Sequence, residues 1–359
     1  MIEQNNYRYI RLGKASVLVD GQFGSTGKGL FAAYLAEQPQ NEVDWAVTNS
    51  SANAGHTTKY QDGRSFVCYH LPTFGIIQRG AKIYLNAGAI ISPDLLLDEI
   101  DRFNIKGDRL FIHPMAAVIT REDITKEENK KSMASIIAST QKGVGQALAN
   151  KITRSGKLAK NEPSLQQYIK KIDLNEELLE GARVSIEVPQ GFSLSINGPF
   201  YPHCTSRNCT VMAGLNDADI NPAYLGPVAM TLRTYPIRVG HIVDKSGATI
   251  GHSGPVYEDQ AELSWDNIGV APEYTTVTGR QRRIFTWSYI QFHEALSANR
   301  PDILFLNFMN YLSPSDQTKL ALAVKTEYIA GMGESASPTT FYGFGPNVED
   351  VSMNLGKSE

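Results

Sequence analysis

The chain has 359 residues, with 34 Lys and Arg against 37 Asp and Glu, a net charge of −3 and 42% hydrophobic residues. This balance is typical of a soluble globular protein and argues against a nucleic-acid binder that works by neutralising phosphates. Three cysteines are too few for a disulfide framework, and their odd number indicates a reducing compartment, so we expect a cytoplasmic location.

In chain order, the N-terminal residues lack the apolar stretch of a secretory signal, and no later run of about 18 apolar residues predicts a membrane span. Residues 15–20 (ASVLVD) predict a strand, the glycine loop 21–29 (GQFGSTGKG) follows it, and helical apolar spacing begins at Lys28. Further apolar runs predict strands within 82–91, 109–114, 183–188 and 302–308.

The alternation of strands and helices predicts an α/β fold with a mostly parallel central sheet and helical insertions. We expect one large domain over residues 1–359, because no repeat or low-complexity linker divides the chain. Between residues 121 and 183 the composition shifts toward Lys, Glu, Gln and Ser. This segment is predicted to be either a solvated helical excursion or a region that caps the substrate or contributes to a dimer.

The glycine loop has the features of a phosphate site, because glycines let backbone N–H groups approach an anion and the following helix N-terminus adds a favourable dipole. It is not a Walker loop, since Gln22 and Gly29 occupy the places of the required Gly and Ser or Thr. A tight strand-to-helix turn with incidental glycines fits the same pattern. The loop alone therefore leaves both interpretations open.

Six segments in the same order resemble motifs of the adenylosuccinate synthetase family. The glycine loop resembles GQWGDEGKG, and Asn53–Thr57 (NAGHT) matches the second signature of that family. The other four segments are 139–156 (STQKGVGQALANKITRSG), 187–191 (EVPQG), 201–210 (YPHCTSRNCT) and 276–287 (TVTGRQRRIFTW). The resemblance extends from about residue 15 to GFGPN at 343–347, and it implies the fold and the chemistry of this family.

Members of the family replace the 6-oxo oxygen of a purine nucleotide with the amino group of aspartate, after a nucleoside triphosphate has phosphorylated that oxygen. The resemblance implies Mg²⁺ as cofactor, ligated by the carbonyl of Gly55 with help from the hydroxyl of Ser25. It implies His56 as general acid and Thr57 as a contact to the donor phosphates. Residues implied to surround the phosphates are Gly24, Thr26, Gly27, Lys28 and Gly29.

For the purine monophosphate, the resemblance implies Ser139 and Thr140 at the 5′-phosphate and Gln190 at the purine 6-position. It implies that Arg154 reaches across a two-fold interface to the nucleotide of the partner, so a homodimer with shared sites is expected. A solvent-exposed Arg in a basic stretch is the alternative. Further implied nucleotide contacts are Asn53, Thr205, Val239 and Gly240.

The loop that begins at residue 276 suits a dicarboxylate, because guanidinium groups bind carboxylates in a bidentate manner. The resemblance implies that it binds the substrate L-aspartate. A merely solvated basic patch is the alternative, which the acidic overall balance disfavours. Its implied binding residues are Thr276, Val277, Thr278, Gly279, Arg280 and Arg282.

Ser25 stands where cellular members of the family carry an aspartate that removes the N1 proton of the purine. A serine vacates space along the N1/C2 edge and offers its hydroxyl to a 2-amino group, which predicts a guanine substrate. A branch of phage enzymes within the family carries this serine and converts dGMP to N6-succino-2-amino-dAMP, a precursor of 2-aminoadenine in DNA. We therefore expect dGMP, L-aspartate and a triphosphate as substrates, with Ser25, His56 and Gln190 as catalytic residues. No residue in the sequence is identified as the replacement base.

The phosphoryl donor is predicted to be ATP or dATP, because the segment 306–312 (LNFMNYL) lacks the Asp with which cellular members bind the guanine of GTP. Asn307 or Asn310 can present both a donor and an acceptor to another base. Guanine recognition around Gly345 and Pro346, which we also place in the donor site, is the alternative. Two other functions stay open, namely an ordinary short-form adenylosuccinate synthetase that uses IMP and GTP, and a catalytically inactive nucleotide-binding homologue.

Overall fold

The computed structural model describes residues 14–276 and 278–356. Within these residues the strands are Ala15–Asp20 (β1), Trp45–Thr48 (β2), His56–Lys59 (β3), Ser65–Cys68 (β4), Lys82–Leu85 (β5), Ile90–Ile91 (β6), Leu110–Ile112 (β7), Ala117–Val118 (β8), Val184–Glu187 (β9), Leu225–Arg233 (β10), Ile237–Arg238 (β11), Ile242–Val243 (β12), Thr249–Gly251 (β13), Glu262–Leu263 (β14), Arg283–Phe285 (β15), Ile303–Asn307 (β16), Thr339–Gly343 (β17) and Val351–Ser352 (β18).

The α-helices of the same residues are Lys28–Ala36 (α1), Thr73–Ile77 (α2), Pro93–Arg102 (α3), Arg121–Glu128 (α4), Met133–Ile136 (α5), Val144–Ile152 (α6), Leu174–Leu179 (α7), Val211–Asp217 (α8), Trp265–Ile268 (α9), Tyr289–Asn299 (α10) and Pro314–Met332 (α11). None of these helices combines the length and the apolar character that a membrane crossing requires.

Nine strands form a central sheet in the order β18-β17-β16-β10-β1-β9-β2-β5-β7. All neighbouring strands are parallel except β17 and β18, which pair in the antiparallel direction. The predicted α/β fold with a mostly parallel sheet is therefore confirmed. The first strand lies in the middle of the sheet, so the glycine loop that follows it projects from the sheet centre.

Alternate residues of β1 pack on opposite faces of the sheet, because successive side chains of a strand point in opposite directions. Val17 and Val19 join a cluster with Leu215 of α8 and Phe292 of α10. Leu18 joins the other cluster, which contains the apolar residues of α1. In that second cluster Phe31 of α1 stacks on Phe305 of β16 at 4.5 Å between ring centroids. Helices thus cover both faces, as buried parallel sheets require.

The segment 121–183 is largely helical and contains α4 to α7 before it enters the sheet at β9. Its first part forms one wall of a large cavity at the carboxyl ends of the central strands. Glu127 of α4, Met133 of α5 and Gln146 of α6 are among the residues of this wall. The carboxylate of Glu127 accepts hydrogen bonds from the backbone N–H groups of Gly143 (2.8 Å) and Gln146 (3.1 Å) and so joins α4 to the start of α6. The segment that is rich in Lys, Glu, Gln and Ser therefore contributes one wall of the cavity.

Candidate active site

A cavity of about 880 Å³ opens at the carboxyl ends of the central strands, the usual ligand position in parallel α/β sheets. Most of the predicted site residues line it, namely Gly24, Ser25, Gly27, Lys28, Gly29, Asn53, Gly55, His56, Thr57, Ser139, Thr140, Gln190, Thr205, Val239, Thr276, Thr278, Arg282, Asn307, Gly345 and Pro346. Those absent from its lining are Thr26, Arg154, Gly240, Gly279 and Arg280. Val277 lies outside the described residues.

The glycine loop is built on the carboxylate of Asp20, at the end of β1. Oδ1 accepts hydrogen bonds from the backbone N–H groups of Gln22 (2.8 Å) and Gly24 (3.1 Å), and Oδ2 accepts one from Oγ1 of Thr26. Thr26 is fully buried and its hydroxyl also contacts that of Thr231, so its side chain faces the sheet. The Thr26 side chain is therefore engaged with Asp20 and the sheet, and the proximity of Thr26 to the donor phosphates stays a prediction.

Lys28 begins α1 with its ammonium group enclosed between the loop and the sheet. Its Nζ lies 3.2 Å from Oδ2 of Asp20 and donates to the carbonyl of Gln190 at 2.5 Å. The first N–H groups of α1 have no partner within the helix, and they point, together with its positive dipole end, out of the N-terminus. The loop thus combines a fixed cation with free amides at the cavity wall.

Asn307, the last residue of β16, is hydrogen-bonded to the glycine loop. Its Nδ2 donates to the carbonyl of Thr26 at 3.2 Å, and its Oδ1 accepts from the backbone N–H of Phe308 at 2.8 Å. Gly27 has a φ of 94°, and a Cβ there would lie 2.2 Å from that same Nδ2. Of the two amides predicted at the donor base, Asn307 thus contacts the loop, whereas Asn310 is exposed, and both line the cavity.

Ser25 is the exposed residue of the glycine loop and has a φ of 56°, a left-handed conformation that only a few residue types adopt readily. Its carbonyl accepts a hydrogen bond from Nη1 of Arg233 at 3.3 Å. The backbone is thus held from behind while the side chain lies at the cavity. A change of this side chain therefore alters the cavity without altering the support of the loop.

The loop after β9 and the NAGHT segment meet across the cavity. Gln190 donates from Nε2 to Oδ1 of Asn53 at 2.9 Å, and the same oxygen accepts a bond from the hydroxyl of Ser51 at 2.8 Å. The sequence placed Gln190 and Asn53 in one purine site, and the structure brings them together. Their amide groups present donors and acceptors at the same cavity wall.

His56 begins β3 and packs against α1, where a Cβ at Gly29 would lie 3.1 Å from the Cβ of His56. Burial, and then the positive charge of Lys28, lower the pKa of His56 to about 3. The imidazole is therefore neutral at physiological pH when the cavity holds no anion. A bound phosphate beside Lys28 offsets this effect, because negative charge favours the protonated form.

Arg282 and Arg280 of the predicted aspartate loop have different surroundings. Arg282 lines the cavity, and burial lowers its pKa to about 10 although Glu273 opposes the shift. Arg280 instead donates to the carbonyls of Ala138 (2.8 Å), Ser139 (3.0 Å) and Gly240 (3.2 Å). Its guanidinium is thus occupied by backbone, which fastens the aspartate loop to the segment with the predicted 5′-phosphate hydroxyls.

Glu273 is a cavity residue that the sequence reasoning missed. It receives Nη2 of Arg233 at 2.5 Å and the hydroxyl of Tyr311 at 3.1 Å, and Nε of Arg282 lies 4.0 Å away. Burial is the largest single influence and raises the pKa of this carboxyl, but Arg233, Arg282 and Tyr311 together outweigh burial and hold the pKa below its ordinary value. The signal in the sequence that could have indicated Glu273 is its position three residues before the predicted aspartate loop, which begins at Thr276.

Neither Asp20 nor Glu187, to which the sequence alone could not assign the role of base, lines the cavity. Glu187 is buried, its Oε1 accepts from the backbone N–H of Phe74 at 2.9 Å, and burial raises its pKa to about 7. Asp20 is held by the glycine loop. The carboxylates that do line the cavity, within the described part of the chain, are Glu127 and Glu273, and both are engaged.

Comparison with known families gives the assignment of the chain. The family model "Adenylosuccinate synthetase" matches residues 17–173 and 157–342. The chain belongs to the adenylosuccinate synthetase family. Members of this family are carbon–nitrogen ligases, so the predicted family and enzyme class are confirmed.

The relatives within the adenylosuccinate synthetase family include phage enzymes. The N6-succino-2-amino-2′-deoxyadenylate synthases of Vibrio phage phiVC8 and Salmonella phage PMBT28 are 37% and 36% identical, over 94% and 95% of this chain and 97% and 98% of theirs. The solved succinoaminodeoxyadenylate synthetase of cyanophage S-2L, bound to dGMP and to dATP as an energy donor, is 34% identical. It superposes with a TM-score of 0.82 and 95% coverage of both chains.

Proposed function

We propose that this protein joins the amino group of L-aspartate to C6 of dGMP, at the expense of ATP or dATP, and forms N6-succino-2-amino-dAMP. The observation that carries the proposal is the exposed Ser25 at the cavity, in the place of the family aspartate. The cyanophage relative, which is bound to dGMP and dATP, supports the same assignment. We place the reaction in the cytoplasm, where nucleotide pools are available, as a step toward 2-aminoadenine in DNA.

The purine is selected along its N1/C2 edge. A serine hydroxyl accepts a hydrogen bond from the 2-amino group of guanine, whereas a larger carboxylate excludes that group. Gln190 and Asn53, joined at 2.9 Å, read the 6-position on the same wall. The 5′-phosphate is bound by Ser139, Thr140 and Thr205, and Val239 and Gly240 lie beside the sugar.

The reaction has two steps. The γ-phosphoryl group moves to O6 of the purine, and then the aspartate nitrogen attacks C6 and the phosphorylated oxygen leaves as inorganic phosphate. Lys28 and the amides of the glycine loop bind the transferred group, and His56 donates a hydrogen bond or proton to the oxygen as charge develops. Thr57, Gly345 and Pro346 bind the donor nucleotide, whose base meets Asn310.

Aspartate is bound by the loop that begins at Thr276. Arg282 provides the guanidinium at the cavity, and Thr276 and Thr278 provide hydroxyl groups beside it. Arg280 holds this loop against residues 138–140 through backbone carbonyls. Aspartate and the 5′-phosphate site are therefore positioned as one unit.

Magnesium fits the donor set of the site. The described residues contain no group of three or more His, Cys, Asp or Glu that could hold a metal ion by themselves. Mg²⁺ needs no such group, because it takes few protein oxygens and completes its shell with phosphates and water. The carbonyl of Gly55 and the hydroxyl of Ser25 are the oxygens that would hold it, and the ion would neutralise phosphate charge.

A homodimer completes the nucleotide site in this proposal. Arg154 is exposed after α6, has a φ of 65° and lies outside the cavity lining of its own chain. Among the described residues its guanidinium has no hydrogen-bond or ion-pair partner. These features support a role toward the nucleotide of a partner subunit.

The decisive experiment is a substrate matrix of dGMP, GMP, IMP and dAMP against ATP, dATP and GTP, with aspartate-dependent phosphate release as readout. We expect the highest kcat/KM with dGMP and either adenine triphosphate. A strong preference for IMP with GTP would identify a short-form adenylosuccinate synthetase. Nucleotide binding without phosphate release for any pair would identify an inactive homologue.

A further inference from the structure

The glycine loop differs from the family pattern GQWGDEGKG at a second position, because Thr26 replaces a glutamate. The sequence therefore indicates a loop that has lost a carboxylate next to the triphosphate. The structure shows another carboxylate in contact with Thr26. Oδ2 of Asp20 accepts the hydrogen bond of the Thr26 hydroxyl at 2.5 Å.

Asp20 has the contacts of a loop-organising group. Its side chain is fully buried, and four donors converge on it, namely the N–H groups of Gln22 and Gly24, the hydroxyl of Thr26 and the ammonium of Lys28. The two amides fix the turn from β1 into the loop. The ammonium group is the phosphate-binding cation itself.

We propose that Asp20 is a positioning residue for phosphoryl transfer and supplies, from the end of β1, the loop carboxylate that the family carries at residue 26. It sets the position of Lys28 and turns the N–H groups of Gln22 and Gly24 toward the sheet. The amides left for the phosphates are then those at the start of α1. This inference rests on the proposed function only for the identity of the nucleotides.

The surroundings of Lys28 support an ordering role for Asp20 in this pair. The Lys28 side chain is 5% exposed, and Asp20 is the carboxylate in contact with it. A buried cation without a counter-charge is unfavourable, and an ammonium on a four-carbon stem has many rotamers. Asp20 therefore selects one position for the charge before any phosphate arrives. A second contact of the Lys28 ammonium, from Nζ to the carbonyl of Gln190, connects this position to the loop after β9.

The test moves the carboxylate between the two residues. Because the hydroxyl of Thr26 touches Oδ2 of Asp20, a glutamate at residue 26 can extend into the volume that Asp20→Ala vacates. We compare Asp20→Ala, Asp20→Ala with Thr26→Glu, and the matched neutral control Asp20→Ala with Thr26→Gln. Asp20→Asn, which keeps the shape, serves if the alanine variants unfold. Thermal unfolding of each variant establishes that it is folded.

Two readouts are measured, the dissociation constant for ATP by calorimetry and kcat with the nucleotide pair that the wild type turns over best. We expect Asp20→Ala to weaken ATP binding and to lower kcat by about 10-fold or more, because the loop must then be ordered during binding. Thr26→Glu should restore both values to within about threefold, and Thr26→Gln should restore neither. The dissociation constant for dGMP should change less than that for ATP, since Asn53 and the hydroxyls proposed for the 5′-phosphate lie outside the glycine loop.

Equal recovery with Thr26→Gln and Thr26→Glu would overturn the proposal, because it would show that volume and not charge is required. Tighter ATP binding by Asp20→Ala would also overturn it, since the carboxylate would then oppose the anion. ATP binding is measurable whether or not dGMP is the substrate. A failure of the proposed function, seen in the wild type, is therefore distinct from a failure of this inference.

Discussion

Glu273 and Arg233 form a two-point ion pair behind the cavity, with Oε1 2.5 Å from Nη2 and Oε2 3.1 Å from Nη1. Arg233 is fully buried, and it also donates to the carbonyl of Ser25 and lies over the ring of Phe308, 3.9 Å from its centroid. Glu273 in turn faces Arg282. The pair thus connects the glycine loop, the aspartate loop and the segment that follows β16.

Glu273→Gln should reduce both stability and aspartate binding. It removes the charge that faces two buried guanidinium groups, and we expect a loss of about 1–3 kcal/mol in the free energy of unfolding. We expect the KM for aspartate to rise about tenfold while the KM for the triphosphate changes little. Chemical denaturation and initial rates measure these effects.

The pH dependence and a matched control separate this pair from a surface pair. The pKa of Glu273 lies below its ordinary value of 4.5, so its contribution is present above that value and is lost as the pH falls further. The stability difference between wild type and Glu273→Gln should therefore shrink in acid. Glu262→Gln breaks a similar pair with Arg283, but Glu262 is 48% exposed and should cost at most about 1 kcal/mol. Equal effects of the two substitutions would contradict the assignment.

Ser25→Asp should transfer preference from dGMP toward IMP. The carboxylate is larger than the serine hydroxyl and occupies the space that the 2-amino group needs, so the exclusion is steric. We expect kcat/KM for dGMP to fall by about 100-fold, which corresponds to about 2.7 kcal/mol. Asparagine also tolerates left-handed φ, so Ser25→Asn tests size without charge. A dGMP rate that Ser25→Asp leaves unchanged would refute the selection mechanism.

His56 should take up a proton when the site fills. Its pKa of about 3 without anions leaves it neutral between pH 6 and pH 8, and bound phosphates raise this pKa. Titration of the triphosphate in buffers of different ionisation enthalpy should show an uptake of up to about one proton at pH 6. The uptake should vanish in His56→Asn. An unchanged uptake in that variant would assign the proton to another group.

Gly27→Ala should abolish triphosphate binding and destabilise the fold. The Cβ would lie 2.2 Å from the Asn307 amide at a φ of 94°. Gly63 is the control, since its φ is 90° and no atom lies within 4 Å of a Cβ there. Gly63→Ala should cost only the conformational term of about 1–2 kcal/mol and leave binding intact. Similar losses in both variants would mean that the contact with Asn307 carries no weight.

Mixed dimers test the shared site. Arg154→Ala and His56→Asn should each be nearly inactive alone. If Arg154 serves the nucleotide of its partner, a hybrid of the two variants contains one intact site. Random reassociation should then restore about a quarter of the wild-type rate. A mixture that stays inactive while dimers exchange would place Arg154 in the site of its own chain and not in that of its partner.

The sequence predicts the local parts of this site well because they depend on neighbours along the chain. The strand at residues 15–20, the glycine loop and the helix from Lys28 follow from apolar spacing and glycine placement. The grouping of the six motifs in one site was implied by the family resemblance, and most of their predicted site residues line one cavity. Gln190 and Asn53, 137 residues apart, meet as that resemblance implied.

The contacts that sequence reasoning missed join residues without a periodic pattern. Asn307 follows a strand as a base-reading residue would, yet the missing side chains of Gly27 and Gly343 leave room for its amide under the loop. Glu273 lies 40 residues from Arg233, and no spacing rule connects them. Arg280 binds backbone carbonyls, whose positions depend on the complete fold. Such long-range contacts become visible only when the elements have packed.

Strand β1 lies in the middle of the sheet with four strands on either side, so the two flanks of the sheet can contribute to different parts of the cavity. In the proposed function, one flank brings β16 and β17, whose following segments would face the triphosphate, and the other brings β9, whose following segment would face the purine. The glycine loop and the start of α1 contact both flanks, through Asn307 at the end of β16 and through Gln190 after β9. Under this assignment a change of donor nucleotide involves the flank of β16 and β17, whereas the nucleobase of the substrate is selected at Ser25 in the shared loop.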